Sequence, residues 1–213
     1  MTDSSKLREA LLQEAQRFYD QTPALQTFSP WLTDLTLAEN IPDTSLSLGP
    51  DIMSALDVMR NWQSEQPFHQ ALQRAINVIS WRQTYSEAEV GRAFLDAFAY
   101  FELFGPDGLF RTNDGRAYVG FWGQGLFYPW HHHLAEEIYA VVSGEAYFEA
   151  AGDPGVAIGP GECKEHASLQ EYALRTPHLS CRWSSGVVRG WLAIRLYSEP
   201  PCGVRSVGSI TIK

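Results

Sequence analysis

The run GLFYPWHHHLAEEIYAVVSG, from Gly125 to Gly144, decides how this chain is read. It carries His131, His132 and His133 in succession, half of the six histidines present, then Glu136, Glu137 and Tyr139. Side chains alternate between the two faces of an extended strand. His131, His133, Glu137 and Tyr139 are all odd-numbered and so are expected on one face, with His132 and Glu136 on the other. Two imidazoles and a carboxylate on one face suit a borderline divalent transition metal: Fe, Zn, Mn, Ni or Co. The competing reading is a surface histidine cluster beside a structural ion pair. The internal position excludes an expression tag.

Outward from this run the chain divides in character. From residue 105 on, Gly, Pro and aromatic residues punctuate short alternating runs such as Ile138–Val142, Glu145–Glu149 and Val187–Tyr197. In the last of these, Trp191, Ala193, Arg195 and Tyr197 share one face, and Leu192, Ile194 and Leu196 the other. Short strands separated by turn signals predict a small β-sandwich or barrel. Upstream, Leu7, Leu11, Ala15 and Phe18 recur at helical spacing, with Asp3, Ser4 or Ser5 as the expected N-cap. Pro23, Pro30, Pro42 and Pro50 mark a stretch expected to be mostly loop. Helices are predicted over Asp51 to Trp62 and through Phe68, Ala71, Leu72, Ala75, Ile76 and Ile79. Ser86 and Glu89 form a capping box ahead of Val90, Phe94, Phe98 and Phe101, a helix expected to stop at Gly105-Pro106. The predicted organisation is a helical N-terminal region over residues 1–104 and a β-barrel domain over 105–213.

The remaining sequence narrows the function class. With 16 Lys+Arg against 25 Asp+Glu, the formal net charge is -9, which repels phosphate backbones and argues against a nucleic-acid partner. Cys163, Cys181 and Cys202 are widely spaced and odd in number, so no disulfide framework is expected. The N-terminus has no apolar signal core, and no run of about 18 apolar residues occurs. A cytoplasmic protein without membrane contact is expected. The sequence is compatible with a homodimer.

The central run matches the first cupin motif, G-x5-HxH-x3-E-x6-G, at Gly125, His131, His133, Glu137 and Gly144. More narrowly, Tyr128-Pro-x-His-His-His-x-Ala-Glu-Glu-Ile-Tyr139 followed by Ser143-Gly144 resembles the cupin-type dimethylsulfoniopropionate (DMSP) lyase family. A phrase from Trp81 to Phe104-Gly105-Pro106, and Pro160-Gly161 followed by His166-x-Ser168, are similar to that family as well. The resemblance implies a double-stranded β-helix barrel preceded by helices. It implies a metal held by His131, His133 and Glu137, and cleavage of DMSP to dimethyl sulfide and acrylate by β-elimination. By the same resemblance Tyr139 is the leading base and Tyr128 assists or positions. The chain departs from the family at one ligand: Tyr172, in Glu171-Tyr172-Ala173-Leu174, stands where the family's second motif supplies a histidine. Water, Tyr172 itself or His166 are the candidates to complete the set, or the chain has lost the chemistry. His69 and His178 have no motif context and are expected to be packing or surface residues. A cupin dioxygenase, isomerase or lyase acting on another small carboxylate, and a non-catalytic small-molecule-binding cupin, are the rival readings. In each case the expected partner is a small zwitterionic or carboxylate ligand.

Overall fold

A computed structural model describes residues 2–41, 48, 50–61, 63–177, 190–198 and 211–212. Pro42, Trp62, His178, Cys181, Trp183, Val187 and Cys202 lie outside the described residues. The chain opens with helix α1 (Asp3–Asp20), capped by Thr2, whose side chain accepts from the Ser5 N–H at 3.2 Å. The cap is thus one residue upstream of the three expected. Its hydroxyl sits three residues before Ser5, the spacing an N-cap needs. Leu11, Ala15 and Phe18 are buried along one stripe, and Leu7 is half-buried.

Helix α2 (Pro23–Phe28) occupies part of the stretch expected to be loop. Pro23 at its first turn is pre-set to helical φ and lacks only an N–H that would be unpaired there anyway. Strand β1 (Thr36–Leu37), helix α3 (Pro50–Arg60) and helix α4 (Pro67–Ala75) follow. Helix α4 buries Phe68, His69, Ala71, Leu72 and Ala75. His69 is therefore a packing residue: its Nδ1 lies 2.7 Å from Ser143 Oγ, and burial lowers its basicity.

The expected helix running to Phe101 is corrected by the structure. The Ser86–Glu89 capping box forms, with Glu89 Oε2 accepting from Ser86 N at 2.7 Å. Yet helix α5 (Glu87–Val90) stops at Gly91, whose φ of +81° only glycine adopts without strain. One further turn, α6 (Arg92–Leu95), leads into strand β2 (Phe98–Phe104). The aromatic run Phe98-Ala-Tyr-Phe-Glu-Leu-Phe104 fits a pleated, buried surface better than a helix. The sheet therefore begins upstream of residue 105, and the expected boundary at 104/105 falls at the end of a sheet strand.

The rest is β: β3 (Phe110–Arg111), β4 (Arg116–Gly123), β5 (Phe127–His132), β6 (Glu136–Ser143), β7 (Ala146–Ala150), β8 (Asp153–Ile158), β9 (Cys163–His166), β10 (Tyr172–Arg175), β11 (Gly190–Ser198) and β12 (Thr211–Ile212). One sheet has the order β1-β3-β2-β4-β11-β6-β9, the other β12-β5-β10-β7-β8. This is the mainly β architecture with N-terminal helices that the cupin motif implies. Gly125 and Gly144, the glycines framing the motif, have φ of +70° and +87°, so both turns need a residue free of a Cβ.

Two buried clusters sit on the two faces of the larger sheet. Ile138, Ala140 and Val142 of β6 pack with the helices. Tyr139 and Val141 of the same strand face the other way, with Trp122, Tyr128, Phe148, Tyr172 and Leu174. Alternation along one strand thus separates a helix-facing core from a barrel interior. Among the described residues no helix is long and apolar enough to cross a membrane.

Candidate active site

Strand alternation carries Glu137 and Tyr139 of β6 into the barrel interior, where both are fully buried. His132 is half-buried and Glu136 is exposed on the opposite side, as their parity requires. Tyr128 is even-numbered yet also points inward. The reason is a bulge: β10 pairs Tyr172 with His131 and Leu174 with Tyr128, so two steps on β10 face three on β5. The extra residue, at Pro129-Trp130, resets the alternation. Tyr128 then stacks on His131, with ring centroids 4.0 Å apart.

The two motif histidines are anchored through Nδ1. His131 Nδ1 lies 2.7 Å from Pro129 O, and His133 Nδ1 lies 2.8 Å from Ala135 O. A carbonyl only accepts, so each Nδ1 carries a proton and each Nε2 is turned to the interior. Burial pushes the His131 imidazole down to about 3, keeping it neutral. His131 Nε2 is buried without a hydrogen-bond partner, and His133 Nε2 sits 2.8 Å from Glu137 Oε1. Two ligand atoms about 2.1 Å from one ion at near-right angles lie about 3 Å apart, so this pair has the spacing of neighbours in a coordination shell. Backbone carbonyls fixing the far nitrogens are the usual support for metal-binding imidazoles. Donor chemistry therefore fits a divalent metal. Among the described residues, however, no three His, Cys, Asp or Glu side chains close into a ligand shell as they stand.

Tyr172 is brought to the same place. Its register partner is His131, and its hydroxyl lies 3.0 Å from that of Tyr139. Its ring lies between His131, at 4.1 Å, and His166, at 3.8 Å and nearly parallel. His166 is thus in the site, buried opposite Glu137 on β9. Burial lowers its imidazole to about 4.

Arg195, on the Trp191–Tyr197 face of β11, joins the site although its sequence context assigns it no role. Strand β11 pairs Arg195 with Tyr139 and Tyr197 with Glu137. Arg195 Nη1 donates to the Tyr139 hydroxyl at 2.6 Å, and its Nε is 2.9 Å from Glu137 Oε2. The signal that could have found it is a lone cation in an otherwise apolar, aromatic strand, a placement that a buried partner must justify. Burial alone would raise the Glu137 carboxyl, but Arg195 and then His133 hold it at about 2. Burial also pushes the Tyr139 phenol well up, with Arg195 opposing. The Tyr172 phenol is raised by burial and by the Glu137 charge, so it is a neutral hydroxyl. Chemically this is a buried ionised carboxylate paired with His133 and Arg195, neutral His131 and His166 imidazoles, and a phenol beside a fixed cation. Such a set suits proton abstraction next to a carboxylate.

The sequence model of the dimethylsulfoniopropionate lyase family matches residues 51–181. Dimethylsulfoniopropionate lyase DddQ of Ruegeria pomeroyi is 34% identical over 176 residues, covering 83% of this chain and 86% of that protein. A chain from the crystal structures of the DMSP lyases RdDddP and RnDddQII superposes with a TM-score of 0.82 at 31% identity, over 99% of this chain and 100% of its own. The crystal structure of DddQ from Ruegeria pomeroyi DSS-3 gives a TM-score of 0.76 at 30% identity, over 95% of both chains.

Proposed function

This chain belongs to the dimethylsulfoniopropionate lyase family, and on that premise we propose that it cleaves DMSP by β-elimination. The substrate carries a sulfonium on Cβ and a carboxylate on Cα. A base removes a Cα proton, the Cα electron pair forms the new double bond, and the Cβ–S bond breaks. The sulfur keeps its electron pair, so neutral dimethyl sulfide departs and acrylate remains. Burial favours the protonated Tyr139 phenol and Arg195 opposes it; Tyr139 gives up its own proton before the elimination, its oxygen then takes the Cα proton, and Tyr128 assists. Arg195 stabilises the phenolate through its 2.6 Å hydrogen bond. What supports the reading is this buried phenol–guanidinium pair in a chain 34% identical to a DMSP lyase.

We assign a divalent transition metal (Fe, Zn, Mn, Ni or Co) to His131, His133 and Glu137, with Tyr172 at the fourth-ligand position. Such a metal supplies Lewis acidity to the substrate carboxylate. The assembly is proposed to work in the cytoplasm, which suits the free Cys163 thiol. The test is headspace detection of dimethyl sulfide from purified protein and DMSP, with each of the five metals added in turn. Release with one or more metals is expected, and no release with any of them overturns the reading.

The ligand departure gives a separate prediction. Tyr172 is a neutral phenol engaged with Tyr139, a poorer ligand than imidazole. Tyr172→His is expected to raise metal affinity by on the order of tenfold or more, measured by titrating apoprotein against a competing chelator. Weaker binding in the variant would mean that Tyr172 is itself a ligand.

A further inference from the structure

The segment between the helices and β2 reaches the candidate active site through one side chain. Arg82 exchanges backbone hydrogen bonds with Tyr100 of β2, at 2.7 and 3.1 Å. Gln83 Nε2 donates to Phe98 O at 2.6 Å and also to Leu95 O. Ser86 starts the capping box on the other side. Tyr85 is thus pinned from both directions and projects its ring against Phe94, Phe98 and Tyr128, with centroids 5.7, 6.1 and 5.9 Å away. Its hydroxyl makes a short hydrogen bond to the Tyr128 hydroxyl.

This contact has a directional consequence. The Tyr128 hydroxyl is buried and also interacts with Arg195. Arginine only donates, so the Tyr128 oxygen accepts from it. The Tyr85 hydroxyl is a second hydrogen-bonding group on Tyr128, and either oxygen can be the donor between them. Whichever way the proton lies, this bond fixes the rotation of the Tyr128 hydroxyl and so how its lone pairs meet Arg195, which also contacts Tyr139. Without it one side of a buried hydroxyl is left unpaired, and it turns toward whatever partner is near.

We propose that Tyr85 is a positioning residue for the elimination, acting through Tyr128 rather than on the substrate. The proposal rests on the lyase reading. It is tested with Tyr85→Phe, Tyr128→Phe and the double variant, measuring kcat and KM for DMSP, bound metal and thermal midpoint. Tyr85→Phe is expected to lower kcat about fivefold with KM and metal content near parental values. The double variant is expected to lose no more than Tyr128→Phe alone, because Tyr85 has nothing to position once that hydroxyl is gone. A parental kcat in Tyr85→Phe overturns the proposal, as does a double variant that loses the product of the two single effects. A lower thermal midpoint with unchanged kcat marks a packing residue and also overturns it. An inactive parent protein defeats the lyase reading itself, whereas an active parent with an unaffected Tyr85→Phe variant defeats only the role of Tyr85.

Discussion

Replacing Tyr139 by Phe is expected to remove about 10²–10⁴-fold of the lyase rate, the usual worth of a positioned general base. The ring stays and only the hydroxyl goes, so the fully buried aromatic contacts with Trp122 and Phe148 persist. Fold and bound metal are therefore expected to be those of the parent. The hydroxyl is the point where Arg195, at 2.6 Å, and Tyr172, at 3.0 Å, both converge. Steady-state release of dimethyl sulfide, with circular dichroism and elemental analysis as controls, measures the effect. Retention of most of the activity removes Tyr139 from the role of base.

Arg195→Met is expected to have an effect of similar size, on stability as well as rate. The variant leaves Glu137 buried without its cation, and breaking a buried ion pair from one side costs about 3–5 kcal/mol. The pH dependence has a definite sign. In the parent, Glu137 sits at about 2, below its unfolded value, so its contribution is present above the unfolded pKa and lost only as pH falls through about 2. In metal-free Arg195→Met, burial is opposed only by His133 and Tyr172, and the Glu137 carboxyl is expected to rise above its unfolded value. The folded variant then binds the proton more tightly than the unfolded chain does. Its stability is expected to rise as pH falls from 7 toward 5, while the Glu137 contribution in the parent stays flat. Arg195→Lys, which keeps the charge, should retain the parental slope but lose rate with the planar fork. Urea unfolding at pH 7 and pH 5 checks both variants. A variant with the parental slope would show that Arg195 does not govern Glu137.

Much of the site was legible because alternation is a simple rule. Glu137 and Tyr139 share a face of β6 as their parity requires, and the motif glycines Gly125 and Gly144 sit at positive φ. His131 and His133 join them across the barrel rather than along one strand, because β5 ends at His132 and lies in the other sheet. Tyr128 entered only through family resemblance. Its inward direction depends on a bulge at Pro129-Trp130 that no periodicity reveals. Arg195 and Tyr85 are long-range partners, and nothing in their local sequence says which strand will lie opposite. Phe98 and Phe101 fell at helical spacing after a true capping box. A single glycine at 91 ended that helix, and the β-favouring aromatics beyond it went to the sheet. Conversely, a proline read as loop punctuation at position 23 starts α2.

The most direct test of the account is the product balance from DMSP. Proton abstraction at Cα with departure of the sulfide yields one acrylate for each dimethyl sulfide and no 3-hydroxypropanoate. Gas chromatography of the headspace, with proton NMR of the solution from the same vessel, measures both products. Equimolar dimethyl sulfide and acrylate is the expected result. Dimethyl sulfide accompanied by 3-hydroxypropanoate at the earliest times would mean that water attacks carbon directly, and no dimethyl sulfide at all would mean that this barrel serves another ligand.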